Sequence, residues 1–440
     1  RVCTHPCQDK CKRGDVNTPI SICALKRFAA DHAQTPFSEL FQSGADTGRK
    51  VAVIGSGPSG LTAAFYLRLK GHQVTIFESK SHLGGMMRYG IPFYRLPEDV
   101  LDKEIAQIVD LGMETKTDTA LGRDVTLEQL KNDGFEAIYL ALGFQESRKI
   151  NLEGSDAQGV YWGLDFLQAV NSGQELEIQD KVTVIGGGNV AIDVALSALR
   201  MGASEVTLAC LESREEMPAS VEEIEIALEE GVHIEPSRGP QKILTQDGQV
   251  QGIELVRCTS VFDANGKFSP SLDTTTTKKI DCDNVILAIG QSADIRCVQD
   301  EQSCTLKSGL IAVDEQTQKA GDNGVFAGGD VTYGPLNIIN AVASGRRAAK
   351  SIDSFLGGDG DIDVVLAQRS QLIDTYDGKR QKGFADLTGV ESPKKDISER
   401  LQDFIEVIQC LPDEQARYEA ERCLQCDLEL KMARENAGSS

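Results

Sequence analysis

The chain has 440 residues, with 67 acidic against 45 basic side chains and a formal net charge of -22. Such a charge repels nucleic acid and anionic lipid surfaces, and the length lets two or three domains bury their own cores without disulfides. No apolar run approaches the roughly 18–20 residues that cross a bilayer, and no signal peptide precedes the first motif, so a cytoplasmic protein without membrane insertion is expected.

In chain order, residues 1–48 read as a cysteine-bearing turn region followed by a helix, closed by the polar linker Ser43-Gly44-Ala45-Asp46-Thr47-Gly48. The opening at Arg1, directly before Cys3, Cys7 and Cys11, raises the expectation of a piece of something longer. Residues 49–150 begin with the apolar strand Val51–Ile54, then Gly55-Ser56-Gly57-Pro58-Ser59-Gly60, a helix to Leu69 and a strand Val74–Phe77 ending at Glu78. Residues 151–288 repeat the unit: Val182–Ile185, Gly186-Gly187-Gly188-Asn189-Val190-Ala191, a helix to Met201 and a strand Val206–Ala209. Two such starts predict two doubly wound parallel sheets. After Val285 to Gly290 the chain is expected to return to the first domain for residues 289–358. These hold Gly324-Val325-Phe326-Ala327-Gly328-Gly329-Asp330 and a helical pattern from Asn337 to Ile352. The tail, residues 359–440, is charged and reads as helical over roughly 397–435, with Arg422-Cys423-Leu424-Gln425-Cys426 inside it.

Each glycine loop lies between a strand and a helix, the context that separates a dinucleotide site from a chance match. Gly55 permits the tight turn, Gly57 lets a pyrophosphate approach, and Gly60 allows close helix packing, while the helix N-terminus supplies positive partial charge. Glu78 stands where a carboxylate accepts from a ribose hydroxyl. In the second loop Gly186, Gly188 and Ala191 play the same parts. Glu212, just past the second strand, favours a free 2′-hydroxyl and repels a 2′-phosphate, so NAD(H) is preferred over NADP(H). Arg214 is either a phosphate contact or a surface charge.

The downstream Gly329-Asp330 segment resembles the C-terminal FAD motif of flavoproteins with two dinucleotide domains. By that resemblance the first loop binds FAD, with Asp330 on the ribityl chain and the following helix N-terminus directed at the flavin. Gly84-Gly85-Met86-Met87-Arg88-Tyr89-Gly90-Ile91-Pro92 with Arg95-Leu96-Pro97 resembles the signature of the glutamate synthase small-subunit family. That family includes the flavin half of dihydropyrimidine dehydrogenase and the larger subunit of NADH-dependent ferredoxin:NADP oxidoreductase. The resemblance implies an α/β fold with the NAD domain inserted in the FAD domain, a helical iron-sulfur N-terminal segment and a helical C-terminal tail. It adds Gly85, Arg88, Gly90, Ile91 and Gly290 to the cofactor-binding set. It implies an electron conduit from nicotinamide through FAD and [4Fe-4S] clusters to other subunits of a redox complex or a ferredoxin-like partner, flavin-based bifurcation being one form of it. NADPH-using members commonly carry two arginines where Leu211 and Glu212 stand here, and the family usually places an R-C-x-x-C segment and further cysteines ahead of the stretch that opens this chain, a segment that Arg422-Cys423-Leu424-Gln425-Cys426-Asp427 resembles at the other end.

Cys3-x3-Cys7-x3-Cys11 and Cys423-x2-Cys426 have spacings that suit a [4Fe-4S] cube, though zinc tolerates them equally on spacing alone. The family resemblance favours iron-sulfur, with Cys3 and Cys7 at one cluster and Cys11 joining Cys423 and Cys426 at another. Cys23 is a further candidate or a packed helix residue. Cys210, Cys258, Cys282, Cys297 and Cys304 are expected to be ordinary packed residues. No C-x-x-C lies between the glycine loops, which argues against a redox disulfide beside the flavin. No acid-base side chain is required for hydride transfer. Two other readings stay open: an NADPH-dependent glutamate synthase small subunit, and a flavin-bearing structural or sensing subunit.

Overall fold

The computed structural model describes residues 1–299, 304–321, 323–363 and 378–430, which divide into two compact units. The larger comprises Gln42–Gly360 and Asp396–Glu406; the smaller comprises Arg1–Phe41, Asp361–Lys395 and Val407–Ser440.

Within the larger unit stand two five-stranded sheets. The first runs Val325–Ala327, Phe135–Leu140, Lys50–Ile54, Gln73–Phe77, Glu114–Lys116, with every pairing parallel. The second runs Val160–Trp162, Asn284–Leu287, Lys181–Ile185, Glu205–Ala209, His233–Glu235, again all parallel. The two central strands, KVAVI and KVTVI, each bury four of their five residues, as a parallel sheet covered on both faces requires. The strand Val325–Ala327 pairs with Phe135–Leu140, so the chain does return to the first sheet after completing the second.

The linker is less free than its composition suggests. Gly44 N–H donates to Leu69 O at 2.8 Å and Thr47 N–H to Gly71 O at 3.1 Å, which fixes it to the end of the first long helix, Pro58–Leu69. A three-stranded antiparallel sheet, Arg238–Gln246, Gln249–Phe262 and Phe268–Ile280, stands between the fourth and fifth segments of the second sheet in sequence. It was not foreseen. Ile243, Val250, Ile253 and Leu255 carry it into one core with Ile185, Ala209, Val285 and Leu287.

The tail is much less helical than its charge pattern suggests. Its described helical stretches include Ile397–Arg400, Asp413–Glu421 and residues 426–430, and residues 431–435 of the expected helix lie outside the described residues. The segment Asp396–Glu406 belongs to the larger unit, while the helix Asp413–Glu421 packs with the N-terminal helix Ile22–His32 in the smaller. There Arg422, fully buried, pairs with buried Glu419 at 2.6 Å and donates to Thr18 O at 2.7 Å. Glu419 also accepts from Ser21 N–H at 2.8 Å. Residues 18–21 and 419–422 therefore meet in this unit. Among the described residues no helix is long and apolar enough to cross a membrane.

Candidate functional site

Gly55 turns the chain at φ +102°, and a β-carbon there would collide with Ala141 O. Gly60 is equally confined, because its β-carbon would collide with Gly55 O. Gly57 differs: a β-carbon built on it meets nothing within 4 Å. It N-caps the helix Pro58–Leu69, with Pro58 at the first position where a missing N–H costs nothing. The open face over a helix N-terminus is the place a pyrophosphate needs.

Glu78 is only 5% exposed, and its Oε2 accepts from Ser56 N–H at 3.0 Å and Ser56 Oγ at 2.6 Å. Its Oε1 accepts from Lys80 N–H at 2.9 Å. Ser56 Oγ in turn accepts from Gly84 N–H at 3.0 Å, so one carboxylate ties the glycine loop to the Gly84-Gly85 turn. Gly85 abuts Gly57, with its would-be β-carbon 2.8 Å from Gly57 Cα. Arg88 is buried and serves architecture here. It donates to Leu83 O at 2.7 Å and Glu98 Oε1 at 2.9 Å, and also binds Asp102. Asn171 Nδ2 donates to Arg88 O and Ile91 O at 2.8 and 2.9 Å, and Gly90 is buried against Met86 and Leu164.

A buried polar chain that no motif signalled binds the returning segment to this loop. Ser59 Oγ lies 2.7 Å from Tyr139 Oη, and burial pushes the Tyr139 phenol up to about 12 against its bonds to Ser59 and Ser344. Ser344 Oγ donates to Gln318 Oε1 and accepts from Gly329 N–H, both at 2.9 Å. This fixes the backbone just ahead of Asp330. Burial lifts the Asp330 carboxyl to about 6, opposed by one long bond from Leu336 N–H at 3.4 Å. A half-buried carboxylate so poorly supplied with donors fits a polyhydroxyl chain. Nearby, Asn337 caps the helix Ile338–Phe355 by accepting from Asn340 N–H.

The second loop repeats the geometry. Gly186 has φ +148° and its β-carbon would collide with Ala288 O. Beside Gly188 the nearest atom to an added β-carbon is Pro218 Cγ at 4.0 Å. Asn189, the first residue of the helix Asn189–Arg200, accepts from Ser220 N–H at 2.9 Å, and Ala219 N–H donates to Gly187 O at 3.1 Å. Val190 follows on the same helix and Ala191 is fully buried. The Glu212 carboxylate lies over Gly187, while Arg214 Nη1 reaches the Met217 sulfur at 3.6 Å and forms no ion pair among the described residues. Gly290, at φ +112°, accepts from Arg148 N–H at 3.0 Å.

Cys7, Cys423 and Cys426 are exposed, and Cys3, Cys11 and Cys23 partly so. Gln425 adopts φ +49° and its N–H donates to Cys423 Sγ at 3.4 Å. Cys23 N–H donates to Gln8 Oε1 at 2.9 Å. Among the described residues no three His, Cys, Asp or Glu side chains are gathered to hold a metal ion. Cys210, Cys258, Cys282 and Cys304 are buried and Cys297 partly so; burial pushes the Cys210 thiol up to about 12 and Cys282 to about 11.

Residues 49–345 match the family model described as pyridine nucleotide-disulphide oxidoreductase. The chain is 37% identical to the NADP(+)-dependent formate dehydrogenase subunit beta of Moorella thermoacetica, over 97% of this chain and 64% of that protein. It thus spans a little under two thirds of that relative's length. It is 35% identical to the NAD-dependent dihydropyrimidine dehydrogenase subunit PreT of Escherichia coli, over 81% of each chain. The solved structure of FprA, a Mycobacterium tuberculosis oxidoreductase, superposes with a TM-score of 0.61 at 18% identity, covering 74% of this chain and 89% of that one. That likeness bears on the fold alone. With two open dinucleotide loops in the observed order, the chain belongs to the pyridine nucleotide-disulphide oxidoreductase family and binds FAD and a nicotinamide dinucleotide.

Proposed function

We propose that the chain is the flavin-bearing subunit of a cytoplasmic redox complex, moving electrons between NADH, FAD and iron-sulfur clusters to or from a partner subunit. The observation that carries this reading is the pair of open loops, each with a carboxylate at its second strand, combined with the donor-poor Asp330 at the first. FAD and a nicotinamide held at the two loops would supply hydride transfer and the conversion of electron pairs to single electrons, and a [4Fe-4S] cluster held by the terminal cysteines would supply one-electron transfer.

The chain's own residues position these groups. Gly57 and the helix behind it receive the FAD pyrophosphate, Glu78 accepts from the ribose, and Asp330 accepts from the ribityl hydroxyls. Gly188 and Asn189 receive the second pyrophosphate. Cys3, Cys7, Cys11, Cys423 and Cys426 are the thiolate donors, supported by their spacing and by the N–H···S bond at Cys423. The names of the relatives, as beta or PreT subunits of dehydrogenases, support a partner. Twelve free cysteines suit a reducing compartment.

Glu212 supports NADH. A second reading, NADPH, draws on Arg214, which forms no ion pair among the described residues, and on the coenzyme in the Moorella relative's name. Anaerobic mixing of the purified flavoprotein with each coenzyme, following flavin absorbance, tests both: bleaching by NADH is expected, and a flavin inert to either coenzyme would overturn the function.

A further inference from the structure

Tyr94 and Arg95 lie in the segment that follows the first glycine loop and precedes the second sheet in sequence. Arg95 Nη1 donates to Asp193 Oδ1 at 2.9 Å and Oδ2 at 2.6 Å, and Nη2 pairs with Glu223. Tyr94 Oη donates to Asp193 Oδ1 at 3.2 Å. Arg200 lies over the Tyr94 ring, 4.0 Å from its centroid, and pairs with Glu230 at 2.7 Å, both side chains fully buried. From the tail, Arg400 binds Glu229 at 2.9 Å and Glu230 at 3.7 Å, and Phe404 packs 6.2 Å from Tyr94.

Four carboxylates and three guanidiniums therefore meet, and of these Asp193, Glu230, Arg200 and Arg400 are buried, where a charge is costly to desolvate and is held by its partners. Burial opposes the charge on Arg95, but Asp193 and Glu223 outweigh it and raise its pKa. Glu223 Oε2 and Arg200 Nε are buried without hydrogen-bond partners among the described residues. A neutral contact would fill this space at less cost, so the ion network asks for a reason beyond stability.

Its location supplies one. Asp193 lies one turn into the helix Asn189–Arg200, whose first residue belongs to the second dinucleotide loop. Glu223 lies on the neighbouring helix Val221–Glu229, and its N–H donates to Ser220 Oγ at 3.3 Å. Ser220 N–H is bonded to Asn189. Arg95 thus grips both helices that frame the nicotinamide loop. We propose that Arg95 is a positioning residue that sets the nicotinamide half against the flavin half at the separation hydride transfer needs, with the tail segment Asp396–Glu406 as its outer brace. This rests on the reading that NADH reduces FAD in this chain.

The test is rapid-mixing reduction of the intact flavoprotein over a range of NADH concentrations, with FAD per chain measured after heat release. Small errors in donor-acceptor geometry are costly, so Arg95→Met should lower the limiting rate by about tenfold or more, while NADH Kd and FAD content stay within about twofold. Arg95→Lys should recover much of the rate. Should Arg95→Met fail to fold, Asp193→Asn carries the same comparison at nearly constant side-chain size. Wild-type limiting rates in these variants would overturn the proposal. So would rate, affinity and FAD content falling together without recovery in Arg95→Lys. A wild-type flavin that neither coenzyme reduces would instead sink the underlying function, and the proposal with it.

Discussion

The Glu212 Oε2 atom lies 2.7 Å from the position a β-carbon on Gly187 would occupy. A carboxylate pressed onto the glycine loop accepts from a 2′-hydroxyl and repels a 2′-phosphate. NADH is expected to reduce the flavin more efficiently than NADPH by about an order of magnitude or more. Replacing Leu211 and Glu212 with arginine should reverse that order. Unchanged preference after the double substitution would show that these side chains do not face the ribose.

The glycines of the first loop divide into two kinds. A methyl at Gly60 runs into Gly55 O, whereas one at Gly57 enters empty space. Gly60→Ala should lower the thermal midpoint of the protein even without cofactor, and Gly57→Ala should leave the apoprotein's midpoint near that of wild type while weakening FAD binding by about tenfold or more. Calorimetry of the apoprotein and FAD titration separate the two; equal losses in both variants would contradict the division.

Glu223 makes stability depend on pH. Burial lifts its carboxyl to about 7 despite Arg95, so the folded chain holds a proton that the unfolded chain releases near the usual 4.5. Its contribution is present below 4.5 and is lost as pH rises towards 7. Glu223→Gln keeps the neutral form throughout. Relative to wild type, its melting temperature should gain as pH goes from 5 to 7.5, by about 2 °C or more. A constant difference across that range would refute the assignment.

Removing Arg422 strands the fully buried Glu419. Arg422→Ala should destabilise the smaller unit by about 3–5 kcal/mol, visible as faster hydrogen exchange in the helices Ile22–His32 and Asp413–Glu421. For the same reason, a truncation before Arg422 confounds ligand loss with unfolding. Cys423→Ser with Cys426→Ser is the cleaner probe of the proposed cluster. Iron per flavin should fall without loss of FAD, and unchanged iron would exclude this pair as ligands.

Both parallel sheets were legible because their determinants are local: an apolar strand, a glycine turn and a helix start within about twenty residues. The antiparallel sheet was not, because Phe268–Ile280 is mostly exposed and its threonine run carries no apolar alternation. The Ser59-Tyr139-Ser344-Gln318 chain and the Arg95 grip join residues that no spacing relates. Arg95 did sit within the quoted family signature, which was the one available hint. The tail misled for a different reason: its charged periodicity resembles a helix, but Asp396–Glu406 is claimed by the buried network and Arg422 by Thr18.

Between Phe41 and Gln42, Gly360 and Asp361, Lys395 and Asp396, and Glu406 and Val407 the chain passes from one compact unit to the other. A single protease cut at any of these passages leaves the units covalently joined, so limited digestion will yield nicked complexes before it yields fragments. During synthesis Thr18 and Ser21 emerge long before their partners Gly389, Val390, Glu419 and Arg422. The cysteine-bearing segment that holds them therefore stays without these partners until the flavin-binding portion has been made.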